Sequence, residues 1–209
     1  MGITIFGDSI AVGHWDEAGG WVVRLAKYLS SRCIKSNYKE WYSVHNFSVS
    51  GAGTDSLLDR FPEEAKALGW GRDSIFIFSI GLNDSVVSVK TGETVTPIEE
   101  FRLNLDKLSK ISLKYTSNIA FMSLTPVEDS KVNPMPWNTE IGYQTSEVLK
   151  FNQVVKEFST KNNFDFINTY NLMVREGLGK VLEDGVHPSS RGHALIFETV
   201  KNYLLKKIL

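Results

Sequence analysis

Short apolar, β-rich runs alternate with amphipathic helical runs along the chain, and no other feature constrains the fold as much. Residues 3–6, 41–49, 75–80, 119–124 and 164–167 read as strands. Helical spacing of apolar residues fills the intervals at 21–29, 54–68, 97–113 and 140–161, and a last helix covers 189–208. The run Ile75-Phe76-Ile77-Phe78-Ser79-Ile80 is almost wholly apolar, as a strand covered on both faces must be. Helix 54–68 places Leu57, Leu58, Phe61, Ala65 and Leu68 on one face, with Thr54 or Asp55 as its N-cap. This β-α-β-α order argues for a parallel sheet with helices on both sides. Five strands in 209 residues fit a three-layer α/β/α, flavodoxin-like sandwich, with a five-stranded parallel sheet in the order 2-1-3-4-5. No repeat and no linker interrupts the pattern, so residues 1–209 read as a single domain. Two connections are long, 85–96 and 125–139, and long loops in compact domains tend to be functional.

Composition narrows the partners. Lysine and arginine total 23 against 24 acidic residues, so the net charge of −1 gives none of the basic excess expected of a nucleic-acid binder. No apolar run approaches the length of a membrane span, so no membrane span is expected. The Met-Gly-Ile-Thr-Ile-Phe start lacks the basic segment and long apolar run of a signal peptide, and Cys33 is a lone thiol without a disulfide partner. A cytoplasmic location is the expectation from these features.

In an open α/β sheet, ligands bind beyond the carboxyl ends of the strands, at the point where the strand order reverses. The segments at those ends are Gly7-Asp8-Ser9-Ile10, Ser50-Gly51-Ala52-Gly53 and Gly81-Leu82-Asn83-Asp84, and Asp184-Gly185-Val186-His187-Pro188 precedes the last helix. In the order 2-1-3, Ser9 and Asn83 meet across the crevice with Gly51 to one side. A serine hydroxyl becomes a good nucleophile only when a base takes its proton, and His187 is the available base. Asp184, three residues before it, is spaced to hold the imidazole in one tautomer and to stabilise the imidazolium. Acyl transfer also needs donors for an oxyanion. The backbone amides of Ser9 and Gly51 and the side-chain amide of Asn83 are donors of the right kind, each worth roughly 3 kcal/mol of barrier by analogy with other oxyanion holes.

Taken singly, each segment has a plainer reading. Ser9 suits a helix N-cap, Asn83 a turn and His187-Pro188 a helix entry. Taken together and in this order, they resemble the four blocks of the SGNH, or GDSL-type, hydrolase superfamily. The four residues of that name correspond to Ser9, Gly51, Asn83 and His187, and the resemblance runs over nearly the whole chain. Ile10 stands where the GDSL name has leucine, and Gly-Leu-Asn-Asp fits the third block. The resemblance implies a flavodoxin-like fold and hydrolysis of carboxylic or thioesters of small molecules without a metal or organic cofactor.

Rival motifs fail. Ser56 occupies the third glycine position after Gly51 and Gly53, and the chain has neither a P-loop nor a Gly-x-Ser-x-Gly elbow. His14 reads as structural or surface, His45 as a sheet histidine, and His193 as a helix residue without zinc spacing to His187. Asp8 reads as a group that either organises the oxyanion-hole loop by hydrogen bonding or caps the first helix, and Asp84 as one that holds the third-block loop. Trp137 and Met135, in the 125–139 loop, are expected to line a substrate pocket whose opposite wall is the 85–96 loop. With no arginine cluster in either loop, a small or medium neutral ester is favoured. Two other functions fit the same residues: an acyltransferase in which an alcohol outcompetes water, and a non-catalytic binding module on the same fold.

Overall fold

A computed structural model describes residues 1–67 and 73–208. In chain order its elements are β1 (Gly2–Gly7), α1 (Ser9–Val12), α2 (Gly20–Lys35), β2 (Ser43–Asn46), α3 (Thr54–Ala67), β3 (Ile75–Ser79), β4 (Val87–Ser88), α4 (Ile98–Ser112), β5 (Asn118–Met122), α5 (Asp129–Val132), β6 (Ile141–Gly142), α6 (Thr145–Lys161), β7 (Asp165–Ile167), α7 (Tyr170–Glu176), α8 (Leu178–Val181) and α9 (Ser190–Ile208). The main sheet runs β2-β1-β3-β5-β7 with every pairing parallel. This is the expected 2-1-3-4-5 order, because β4 and β6 form a separate two-stranded sheet. Leu68, expected on the inner face of α3, lies outside the described residues.

Aromatic residues organise one face of the sheet. Phe6, Phe78 and Phe121 stand opposite one another on three neighbouring strands, with ring centroids 5.5 and 5.0 Å apart. Phe61 of α3 meets Phe6 edge-on at 4.8 Å, and Phe158 of α6 meets Phe121 edge-on at 5.5 Å. The two-residue period of a strand turns Ile5, Ile77 and Ala120 to the other side. The helices α2 and α9 pack on each other, α2 also against β2 and α9 against β7. All of these strand residues are buried.

Several element boundaries differ from the sequence expectation: the helix expected over 21–29 runs on to Lys35, and the strand expected over 119–124 ends at Met122. The strand expected over 41–49 shortens to Ser43–Asn46, an edge strand that pairs with β1 alone. The helix expected from residue 140 begins at Thr145, because Ile141–Gly142 pairs antiparallel with β4 and ties the two long loops together. Gly142 packs against Asn133 so closely that a Cβ would lie 2.4 Å from Asn133 Oδ1. The Asp129 carboxylate then accepts the Thr145 N–H at 3.0 Å and the Thr145 hydroxyl, fixing the start of α6. The short helices α7 and α8 have too few turns to show a period and were not expected.

Candidate active site

The sheet delivers Ser9 to the crevice by a tight strand-to-helix turn. A Cβ on Gly7 would lie 2.7 Å from the Ser79 carbonyl oxygen, so only glycine lets β1 end this close to β3. Asp8 takes the N-cap role, its Oδ1 accepting the Ile10 N–H at 2.9 Å. The Ser9 hydroxyl is thereby left for another partner, and it meets His187 Nε2 at 3.0 Å. On the far side of that ring, His187 Nδ1 lies 2.7 Å from Asp184 Oδ2. Asp184 Oδ1 accepts the backbone N–H groups of Val186 at 3.0 Å and His187 at 2.8 Å, so the Asp184 side chain also shapes the turn that carries the histidine. Gly185, at φ +98°, makes that turn possible.

Burial raises the Asp184 carboxyl, but the hydrogen bonds from the His187 ring and from the backbone of His187 and Val186 outweigh it. They hold the group well below the usual carboxylate range. Asp184 is therefore an anion next to the imidazole at neutral pH, the charge needed to stabilise an imidazolium.

Asn83 and Gly51 reach the same place from the ends of β3 and β2. Gly51 sits at φ +77° and lines the cleft beside Ser9. The Asn83 amide is held from two sides: its Nδ2 donates to the Ala52 carbonyl at 3.0 Å, and its Oδ1 accepts the Tyr143 hydroxyl at 2.9 Å. Tyr143 is buried, and burial, with the nearby Asp8 and Asp184 charges, pushes its phenol up, so it stays a proton donor. Asp84 acts behind this layer. Its carboxylate accepts the Thr54 N–H at 3.0 Å and the Thr54 hydroxyl at 2.5 Å, and so caps α3 from outside that helix. The second and third blocks are thus locked together, and the expected N-cap role of Thr54 is replaced by this cross-block contact.

Ser9, Gly51, Asn83, Asp184 and His187 all line one cleft of about 560 Å³, together with Met135 and Trp137. Trp137 is 55% exposed, so it faces the opening and is not packed beneath its loop. Val86 and Val95 of the 85–96 loop form part of the wall, as expected. His14 departs from its structural or surface reading: it lines the cleft, with its Nε2 2.6 Å from Ser50 Oγ and its ring 5.6 Å from that of His187. Trp15 and Tyr143 were missed altogether. Trp15 Nε1 donates to Asp184 Oδ2 at 2.8 Å, a contact spanning 169 residues. No local pattern reports a partner at that distance along the chain. Among the described residues, no group of three or more His, Cys, Asp or Glu is arranged to hold a metal ion, and no helix is long and apolar enough to cross a membrane.

Asp8, fully buried beside the nucleophile, has a measurable consequence. Burial pushes its carboxyl up to about 7, assisted by the Asp84 charge and opposed by the Ile10 N–H and by His187. An unfolded chain releases this proton near 3.8. Between those values the folded protein holds a proton that the unfolded chain has lost, so this contribution is full below the window and fades as pH rises through it. Asp8→Asn keeps the acceptor for Ile10. Its melting temperature relative to wild type is expected to rise between about pH 5 and about pH 8. A difference that stays flat across that range would contradict a raised Asp8.

A three-layer sheet with a hydroxyl, an imidazole and a carboxylate in line beyond its strand ends is the frame of a hydrolase. Residues 5–195 match the GDSL-like lipase/acylhydrolase family, and the chain belongs to that family, whose members are carboxylic ester hydrolases. None of the curated proteins matches the sequence significantly. Solved structures share the fold at low identity. A lipase/acylhydrolase from Enterococcus faecalis superposes with a TM-score of 0.75 at 22% identity, covering 99% of this chain and 96% of that one. The psychrotrophic esterase EstA from Pseudoalteromonas sp. gives 0.70 at 18%, covering 99% and 98%. Axe2-W215I, an acetyl xylan esterase from Geobacillus stearothermophilus, gives 0.72 at 20%, covering 96% and 93%.

Proposed function

We propose that this carboxylic ester hydrolase works through an acyl-enzyme on Ser9, with His187 as its base and Asp184 as the group that orients the base. The observation that carries the reading is the unbroken line from Ser9 Oγ to His187 Nε2 at 3.0 Å and from His187 Nδ1 to Asp184 Oδ2 at 2.7 Å, at the wall of the cleft. Ser9 attacks the acyl carbonyl while His187 takes its proton, and the imidazolium then protonates the departing alcohol. Water, deprotonated by the same imidazole, cleaves the acyl-enzyme and releases the acid and free Ser9. The oxyanion is held by the Ser9 and Gly51 amides and by the Asn83 amide N–H that is not bonded to Ala52. Tyr143 supports this assignment, since an O–H donor on Asn83 Oδ1 leaves the NH2 end of the amide turned the other way.

The substrate reading follows from the wall. Val86, Val95, Met135, Ile141 and Val186 make it largely apolar, and no lysine or arginine is among the described residues that line it. A neutral small-molecule ester with a short or medium acyl chain suits such a cleft better than an anionic one. Initial rates on p-nitrophenyl esters from acetate to long chains test this. Turnover is expected to peak at short or medium length, and acid is expected to remain the main product when an acceptor alcohol is added. No turnover on any ester contradicts the hydrolase reading, and ester as the main product replaces it with acyl transfer.

A further inference from the structure

The reaction scheme leaves Trp15 without a role, yet the structure holds this residue under unusual conditions. Its side chain is 59% exposed, so it gains little from burial. Its backbone stands at φ +63°, a left-handed conformation that bulky residues rarely adopt. Such a conformation persists only where the surroundings over-determine it, and here both neighbours are anchored. Before it, the His14 carbonyl accepts the Nε2–H of His193, a fully buried residue of α9, at 3.1 Å. After it, the buried Asp16 carboxylate binds Arg24 twice, at 2.9 and 3.0 Å, and the N–H groups of Ala18 and Gly20 at 3.1 Å each. At the base of the loop, Gly13 and Gly20 touch, since a Cβ on Gly20 would fall 2.3 Å from Gly13 Cα.

This clamped loop aims one polar atom. Trp15 Nε1 donates to Asp184 Oδ2 at 2.8 Å, and the same oxygen faces His187 Nδ1 at 2.7 Å. Asp184 Oδ1 is already engaged by the two backbone amides of its own turn. A carboxylate has about four lone-pair sites, and here four N–H groups fill them, with Trp15 supplying the one that does not come from the Asp184–His187 turn itself. The indole also stands edge-on to the imidazole, with centroids 6.0 Å apart at 89°. It thus flanks both ends of the Asp184–His187 hydrogen bond in a cleft open to solvent.

We infer that Trp15 is a positioning residue for the base: its indole N–H holds the Asp184 carboxylate in register with His187 and its ring keeps water off that hydrogen bond. The inference rests on the reading of Asp184 and His187 given under Proposed function. It differs from the plain alternative, in which Trp15 is a rim aromatic that only touches substrate. A rim contact affects binding wherever Asp184 stands, whereas a positioning residue has its effect only through Asp184.

A double-mutant cycle separates the two. Wild type, Trp15→Phe, Asp184→Asn and the double variant are compared on p-nitrophenyl acetate, with kcat and KM resolved and melting temperatures recorded. Trp15→Phe keeps a ring and removes the N–H. It is expected to lower kcat about tenfold with KM within about threefold, the loss of a hydrogen bond to a charged group at the reacting centre. In the Asp184→Asn background the same change is expected to cost less than about twofold, because the acceptor charge is gone. A loss that persists undiminished in that background overturns the inference, since disorder of the loop or lost substrate contact appears in both backgrounds. A Trp15→Phe kcat within about twofold of wild type, with or without a change in KM, also overturns it. Asp184→Asn at the wild-type rate shows instead that the reading of the base is wrong, and the inference falls with it. Should Trp15→Phe not fold, Trp15→Tyr, which keeps a large ring and displaces the donor, enters the same cycle with the same expectations.

Discussion

Replacing Ser9 with alanine is expected to lower kcat on p-nitrophenyl esters by roughly 10⁴- to 10⁶-fold while KM stays within about threefold of wild type. In the proposed mechanism, the hydroxyl removed is the group that forms the bond to the acyl carbon. Among the described residues that line the cleft, the other serine hydroxyl, Ser50 Oγ, is bonded to His14 Nε2, so it is not expected to replace Ser9. The residual rate comes from the oxyanion donors, which the substitution leaves in place. Stability is expected to change little. Ser9 is only half-buried, and the N-cap of α1 belongs to Asp8. Steady-state kinetics beside a thermal melt check both halves. Wild-type turnover in Ser9→Ala on a clean preparation contradicts the mechanism outright.

A loss of similar size, roughly 10⁴- to 10⁶-fold in kcat, is expected for His187→Ala, because nucleophile and base act as one unit. The same coupling fixes how the two substitutions combine. Once the base is gone the serine hydroxyl is an ordinary alcohol, so the double variant is expected to be no slower than either single one. Losses that multiply, so that the double variant falls by the product of the two, would mean that Ser9 and His187 work in separate steps. His14 is the internal comparison. It lies in the same cleft, 5.6 Å ring to ring from His187, but its ring is bonded to Ser50 Oγ, and it meets Ser9 through the backbone, its N–H donating to the Ser9 carbonyl at 3.4 Å. The His187 ring is the one placed at the Ser9 hydroxyl, at 3.0 Å.

The fold was largely legible in the sequence, because its strongest signals are local. The apolar run from Ile75 to Ile80 had to be the central strand, and the segments that carry chemistry sit where strands end. The convergence of Ser9, Asp184 and His187 on one cleft was legible for the same reason, as each lies in a short block with its own turn chemistry. What the sequence hid depends on contacts between distant segments. Tyr143 falls inside a stretch whose spacing suits a helix from residue 140, and only the pairing of Ile141–Gly142 with Val87–Ser88 shows that it is instead held in a loop against Asn83. The competition for the N-cap between Asp8 and Ser9 also needed coordinates. Either residue type caps well, and the geometry gives the cap to Asp8 and frees the serine. Trp15 carries no local signal in the sequence, because its partner lies 169 residues away.

The central claim is that Ser9 is the atom acylated, and covalent capture tests it most directly. The protein is incubated with an activated p-nitrophenyl phosphonate, which phosphonylates an activated serine and cannot be turned over by water at the rate of an ester. Intact mass and peptide mapping then locate the adduct. One phosphonyl group per chain is expected, on Ser9, with ester hydrolysis lost in proportion and no labelling in Ser9→Ala or His187→Ala. Ester hydrolysis that continues without an adduct, or an adduct on any residue other than Ser9, contradicts the claim.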